Sequence, residues 1–288
     1  MVRGIFELVT QPPTRTAPQD PADIVAGMDW IPRTKRNFRM QYRLAVHTLI
    51  PWLERLSVLP AQAAVCEIGC AEGGVLDAFV ERGTSYALGT DIMAPLLEQI
   101  SIPIAEHLGL DVTFAHHDVI YDAIPDEWNE RFDVVVLRDV IEHLDDAAVA
   151  LRNISRIMKP GGVIMLTFPP YVSPYGGHQQ LLGTTAGNIP FVHMLPKSMF
   201  FSMIEKGDPQ NQEELRRLHR IRCSADGIRA DAQGAGLTLV DERYFGLRPV
   251  FRWKYNRSIP TLELTSLKGI GAVRALAMET AFVFRKPA

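Results

Sequence analysis

The sequence predicts an α/β protein built on a doubly wound, mainly parallel sheet, and three observations carry that prediction. Short apolar runs ending in a glycine or an acid alternate with helical patterns, as in Ala64–Ile68, Tyr86–Asp91, Val112–Val119 and Phe132–Asp139. The first run passes straight into a turn of small residues, Gly69-Cys-Ala-Glu-Gly-Gly74, and then into a helical stripe of Val75, Leu76, Phe79 and Val80. At 288 residues, 47% hydrophobic and 22% charged, the chain has enough material for one substantial core with additions.

Composition excludes several classes. No apolar run reaches the length that spans a bilayer, so no membrane partner is expected. Glu7 interrupts the N-terminal stretch where a signal peptide would be continuously apolar, and a cytoplasmic location is expected. Three cysteines are too few, and odd in number, for a disulfide framework; Cys66 and Cys70 read as reduced packing residues on the first strand and its turn. A net charge of -3 gives no general pull towards nucleic acid, and the basic set Arg33, Lys35, Arg36, Arg39 and Arg43 reads as a solvated helix face.

In chain order, residues 1–35 read as a proline-rich extended arm, and residues 36–288 as a single domain with insertions at 170–222 and 246–278. From Thr34 to Leu56 the pattern is helical, with Phe38, Tyr42, Leu44, Val46 and Leu49 apolar and a break or kink expected at Pro51. After the glycine turn, the second strand ends at Asp91, about 20 positions beyond Gly69, the spacing at which a carboxylate reaches a ribose. The competing reading of Asp91 is a cap for the helix that begins near Pro95. Asp145 or Asp146 caps a helix running through Ile157, Lys159-Pro-Gly-Gly162 stops it, and Val163–Phe168 is a fifth strand. Strands at Leu237–Phe245 and Glu279–Arg285 close the sheet, with an apolar helical pattern near Leu262 to Ala277 between them. Gly69, Asp91, Asp118 and Asp139 all sit at strand carboxyl ends, where ligands of such sheets bind. Gly69 and Gly73 have no Cβ to hold a nucleotide-like ligand away from the turn.

Five ordered motifs resemble those of class I S-adenosylmethionine-dependent methyltransferases: Glu67-Ile-Gly-Cys-Ala-Glu-Gly73, Gly89-Thr-Asp91, His117-Asp118, Phe132 to Leu144, and Met158-Lys-Pro-Gly-Gly162. The resemblance implies a Rossmann-like sheet of seven strands with an antiparallel C-terminal strand, and S-adenosylmethionine as cofactor. It also implies roles. Gly69, Cys70, Ala71 and Gly73 would lie along the methionine part of the cofactor, and Glu67 would orient the turn and bind the cofactor ammonium through water. Asp91 would bind the ribose hydroxyls, Ile92 would flank the adenine, and Asp118 with Val119 would meet the adenine edge. Arg138 and Asp139 would line the floor of the reaction site. Ala71 stands where the family usually has glycine.

After Pro169 the family pattern gives way to an aromatic insertion, which in this family commonly covers the acceptor. Tyr171, Tyr175, Phe191, Met194, Phe200 and Phe201 are its candidate pocket walls, against ordinary packing for each. Methyl transfer from a sulfonium is an in-line displacement, so the protein must align acceptor, methyl and sulfur and exclude water. A hydroxyl acceptor must also lose a proton, which suits a histidine: His178 and His143 are the catalytic candidates, with His193 behind them. The expected reaction is methylation of a small molecule, oxygen favoured over nitrogen, with a nicotinamide-dependent oxidoreductase and a non-catalytic cofactor-binding protein as alternatives. A homodimer surface in the second insertion is a further expectation. No metal set is assigned. Asp139, Glu142 and His143 on one helical face, closed by His178, would resemble the metal-binding segment of some O-methyltransferases. The alternative is that Glu142 and His143 only pack and hydrogen-bond beneath the acceptor.

Overall fold

The computed structural model describes residues 20–255 and 259–288. Segment 1–19, which holds most of the expected arm and Glu7, lies outside the described residues. From Pro21 the expected extended arm is instead a helix, α1 (Pro21–Gly27), with Asp20 accepting from the Ala22 N–H and with Val25 fully buried. Pro21 starts this helix because its fixed φ and missing N–H suit a first turn. Helix α2 (Pro32–Leu44) buries Phe38, Tyr42 and Leu44. It does not break at Pro51: a wider turn over Ala45–Leu49 leads into α3 (Ile50–Arg55), which carries Pro51 in its first turn. The basic face of α2 is only partly solvated, since Arg43 pairs with Asp20 and Asp23 at 3.1 Å each and Lys35 donates to the Ala26 carbonyl.

The sheet contains β1 (Ala64–Ile68), β2 (Tyr86–Asp91), β3 (Thr113–His116), β4 (Phe132–Arg138), β5 (Met158–Phe168), β6 (Thr238–Leu247), β7 (Leu262–Glu263) and β8 (Glu279–Arg285). Their order is β3-β2-β1-β4-β5-β8-β6-β7. The first five run parallel, and β8 is antiparallel to both β5 and β6. The sheet thus has one strand more than the seven expected. The extra two-residue strand β7 covers the outer edge of β6, where the sequence suggested helix, and Leu264 N–H adds a bond to the Tyr244 carbonyl. Satisfying the exposed backbone of an edge strand wins there over the apolar helical spacing. Only α12 (Gly271–Leu276) of that stretch is an α-helix.

Alternate residues of the central strands face opposite ways, as the two-residue period requires. Val65, Val134, Val136, Met165 and Val283 join one core with α2, α3 and α4 (Gly74–Glu81). Cys66, Val135, Leu137, Ile164 and Phe284 join the other. Helices α5 (Ala94–Leu96) and α6 (Ile102–Leu108) follow β2. Helix α7 (Ala147–Ile157) starts where Asp146 accepts from the Val149 N–H at 2.9 Å, so the cap is Asp146 and not Asp145. Beyond β5 come α8 (Lys197–Glu205), α9 (Gln212–Ile221) and α10 (Ala225–Gly234), and α11 (Phe251–Lys254) follows β6. The first insertion has its own small core of Leu182, Val192, Phe200, Ile204 and Leu215. Among the described residues no helix is long and apolar enough to cross a membrane.

Candidate active site

Strand order reverses between β1 and β4, so the loops after their carboxyl ends diverge and leave a crevice. The turn after β1 occupies it. Gly69 has φ 69° and Gly73 has φ 85°, and a Cβ built on Gly69 would meet Val140 Cγ2 at 2.4 Å. The left-handed backbone and the close approach both require glycine there. Ala71 also sits in left-handed space, at φ 46°, which costs an alanine about 1–2 kcal/mol. Neighbours hold it in place: Asp91 Oδ2 accepts from Ala71 N–H at 3.1 Å and the Ser101 hydroxyl donates to the Ala71 carbonyl at 2.6 Å. The turn is thus pinned on both sides of Ala71, which holds its left-handed conformation.

Helix α2 reaches over the same turn. Gln41 accepts from Gly74 N–H and donates to Glu72, which also receives Asn37. A Cβ at Gly74 would strike the Phe38 carbonyl at 2.6 Å, so glycine at this position lets helix and turn touch. Sequence reasoning missed Asn37 and Gln41. Polar residues on one face of a helix otherwise read as solvated give no signal until the partner turn is known.

Asp91 does not cap the helix that begins at Ala94, and both its oxygens accept from nearby backbone N–H groups. Its Oδ1 accepts from Met93 N–H at 2.9 Å, a local turn cap, while Oδ2 braces Ala71. The carboxylate borders a small groove of about 120 Å³ lined by Gly69, Ile92, Asp118, Val119, Val140 and His143 among others. Ile92 stands exposed at its edge. Asp118 is occupied in part, accepting from Ile120 and Tyr121 N–H groups. Glu67 is buried under the turn with Oε2 lacking a partner, and burial pushes its carboxyl up to about 8. Asp77 on α4 is equally buried with neither oxygen partnered, another residue that sequence reasoning missed. Cys66 and Cys70 are free and buried, as packing residues are.

A second cavity, about 560 Å³, opens beyond β4 and is bordered by Asp139, Tyr175, His178, Arg248, Phe251 and Lys254 among others. Asp139 does not share a helical face with Glu142 and His143. It takes a left-handed conformation, φ 56°, ahead of a short 3-10 turn over Ile141–His143. Both Asp139 oxygens accept from Arg248 Nη2, at 2.6 and 2.7 Å, and Arg138 adds a contact at 3.0 Å. Burial works against charge on Asp139, but Arg248 and Arg138 more than offset it and hold the carboxyl below its ordinary range. Arg248 also binds Glu279 at 2.8 Å. Asp139 therefore leaves the expected metal set, because two guanidiniums already neutralise it.

Glu142, His143 and His178 do converge, each offering a donor atom within 4.8 Å of the others. His143 Nδ1 meets Glu214 Oε1 at 2.6 Å, and its Nε2 faces Glu142 at 3.8 Å. Burial lowers the His143 pKa, but the bond to Glu214 and the charge of Glu142 raise it further, for a net rise. Burial, reinforced by Asp139, pushes Glu142 up to about 8. Burial and the neighbouring His143 pull His178 down to about 4. The two imidazoles meet edge to face at 5.0 Å. Both oxygens of Glu142 and the Nδ1 of His178 are buried without a partner among the described residues. A carboxylate and two imidazoles, with unpartnered atoms on Glu142 and His178, suit a divalent cation.

The insertion aims His178 through Tyr175-Gly-Gly-His178. A Cβ at Gly176 would lie 1.8 Å from the Pro170 carbonyl, and one at Gly177 would hit the His193 ring at 2.4 Å. His193 is buried, packs on this turn and donates from Nε2 to the Tyr171 carbonyl at 2.6 Å, so it is a brace for His178 and not a third base. Tyr171 is likewise internal, bonded to His219. Phe200 belongs to the insertion's own core and Phe201 packs against it, while Phe191 and Met194 are exposed; of the six expected wall residues, Tyr175 alone borders the cavity. The aromatic content that singled out Phe200 and Phe201 belongs to α8, which lies against α9 within the insertion's own core.

A family model described as a methyltransferase domain matches residues 39–242. The chain belongs to that family, the class I S-adenosylmethionine-dependent methyltransferases. The methyltransferase match begins inside α2, in keeping with the contact of that helix on the glycine turn, and runs to the middle of β6. Among curated methyltransferases, the ubiquinone biosynthesis O-methyltransferase of Pseudomonas fluorescens (strain SBW25) is 28% identical over 120 residues, 41% of this chain and 49% of that protein. The chain spans about half the length of the curated relatives it matches. Among solved structures, an S-adenosylmethionine dependent methyltransferase from Mesorhizobium loti aligns with a TM-score of 0.51 at 16% identity, over 82% of this chain and 96% of that one. A cyclase aligns with a TM-score of 0.50 at 17% identity, over 83% and 80%. At such identities the likeness is one of fold, and this fold serves more than one reaction.

Proposed function

We propose that the protein transfers the methyl group of S-adenosylmethionine to a hydroxyl of a small molecule. The observation that carries this reading is the position of His143 and His178. His143 borders the groove at the glycine turn, His178 borders the larger cavity, and the two rings touch. A cofactor in the groove and an acceptor in the cavity would meet at these rings, the alignment that in-line displacement needs. In this reading Gly69, Cys70, Ala71, Gly73 and Glu67 cradle the methionine part, Asp91 takes the ribose, and Ile92, Asp118 and Val119 take the adenine. His178, held neutral by burial, offers a lone pair to the acceptor hydroxyl, with Glu142 behind it. Oxygen is preferred over nitrogen as acceptor because the curated relatives are named O-methyltransferases. Against the oxidoreductase alternative stands the family match.

A second reading is favoured by the two orphaned oxygens of Glu142, which a lone histidine base leaves unexplained. Glu142, His143 and His178 would hold a divalent cation, and that ion would acidify the acceptor hydroxyl. Dialysis against a chelator separates the two. Activity that is lost and returns with magnesium or manganese is the outcome expected of the metal-assisted form, and full activity in chelator assigns proton removal to His178 or His143.

A further inference from the structure

We infer that the acceptor carries an anionic group, a carboxylate or a phosphate, held by Lys254; this rests on the reading of the larger cavity as the acceptor site. The charges around that cavity balance except for one. Arg248 is bound by Asp139 and Glu279, and Arg138 by Asp139, so two guanidiniums face two carboxylates. Lys254, on the short helix after β6, borders the same cavity. Among the described residues no carboxylate lies within salt-bridge distance of its ammonium, and its one close contact is the Tyr255 ring at 5.7 Å. Lys254 is exposed at the rim of the cavity, and its ammonium is disfavoured by partial desolvation and by the charges of Arg248, Arg138 and Arg36, against the opposing charge of Asp139. Of the acids and bases that line the cavity, Asp139 is taken up by Arg248, so the Lys254 ammonium is left over at its rim, where an anion on the ligand would be favoured.

The rest of the cavity describes the body of the ligand. Tyr175, Phe251, Tyr255, Leu181 and Met278 give it aromatic and apolar walls, and His178 stands on its border. An acceptor with a flat apolar body, an acid group and a hydroxyl would use all three kinds of surface. Arg248 is not the anchor. Its guanidinium is already bonded to two carboxylates, so it acts as a strut that fixes Asp139 and Glu279.

The test is a calorimetric titration of benzoate, phenyl phosphate and methyl benzoate into the protein saturated with S-adenosylhomocysteine. At least one of the two anions is expected to bind about tenfold or more tightly than the uncharged ester. Lys254→Met should abolish that difference and Lys254→Arg should keep it. The stronger of the two anions names the acid group. An ester that binds as well as the anions, a Lys254→Met variant that still prefers them, or binding by neither anion would overturn the proposal. Failure of the cofactor reading is separable from this: it appears as absent S-adenosylhomocysteine binding, and the same anion titration on the unliganded protein still reports on Lys254.

Discussion

Turnover of a His178→Asn variant is expected to fall by about 100-fold or more, with S-adenosylmethionine affinity nearly unchanged, because positioned proton transfer contributes about 10²–10⁴-fold. Asparagine is the replacement of choice because position 178 has φ 51°, a conformation that asparagine tolerates well, so the turn at Gly176 and Gly177 is kept while the imidazole is lost. The His178→Ala variant should show the same loss. The pH profile adds a second readout. His178 acts in its neutral form, and burial with His143 beside it pulls its pKa down to about 4, so the acid limb of turnover should lie well below the ordinary histidine range near 6.5. A variant with wild-type turnover would remove His178 from both forms of the mechanism.

The largest expected effect on stability belongs to Arg248. It stands between Asp139 on the loop after β4 and Glu279 at the start of β8, and so ties β6 to two neighbours at the mouth of the cavity. Arg248→Met keeps much of the side-chain volume but strands two carboxylates that are largely out of water. Removing one partner of a buried ion pair costs about 3–5 kcal/mol, and the partial exposure of Asp139 places this case near about 3 kcal/mol. Urea denaturation should show a lower midpoint with an unchanged slope. A midpoint within error of wild type would mean that the cluster contributes nothing to the fold. Arg248→Lys should fall between the two, since one ammonium cannot reproduce the Nη2 contact with Asp139 together with the Nε contact with Glu279.

What was legible in the sequence lies in local patterns. Apolar runs ending in Gly69, Asp91 and Asp139 named parallel strands, and Glu279–Arg285 is a strand over the full expected span. Asp146 could be found as a cap because capping is a matter of three or four residues. The pairing of His143 with His178 was legible only as a set of candidates, since 35 positions, including all of α7 and β5, separate them and the turn that aims His178 depends on Pro170 and His193. Arg248 gave no local signal at all. Its partners are 109 and 31 positions away, and nothing near it in the chain distinguishes it from a surface arginine. The same holds for Gln41, whose two bonds to the glycine turn cross 31 and 33 positions. The proline-rich start misled for the opposite reason: proline breaks a helix interior but begins a helix well, and Pro21 and Pro32 both stand at first turns.

The account rests on the glycine turn and Asp91 as the seat of S-adenosylmethionine, and calorimetric titration of that cofactor into wild type and Asp91→Ala tests it most directly. Hydrogen bonds to a charged group contribute about 1.5–3 kcal/mol each, so the variant, folded by circular dichroism, should bind at least about tenfold more weakly than wild type. Asp91→Asn, which keeps an acceptor oxygen and loses the charge, should fall in between. NAD should not bind to any of them. Wild-type protein that takes up NAD and not S-adenosylmethionine, or a folded Asp91→Ala with an unchanged dissociation constant, would contradict the account.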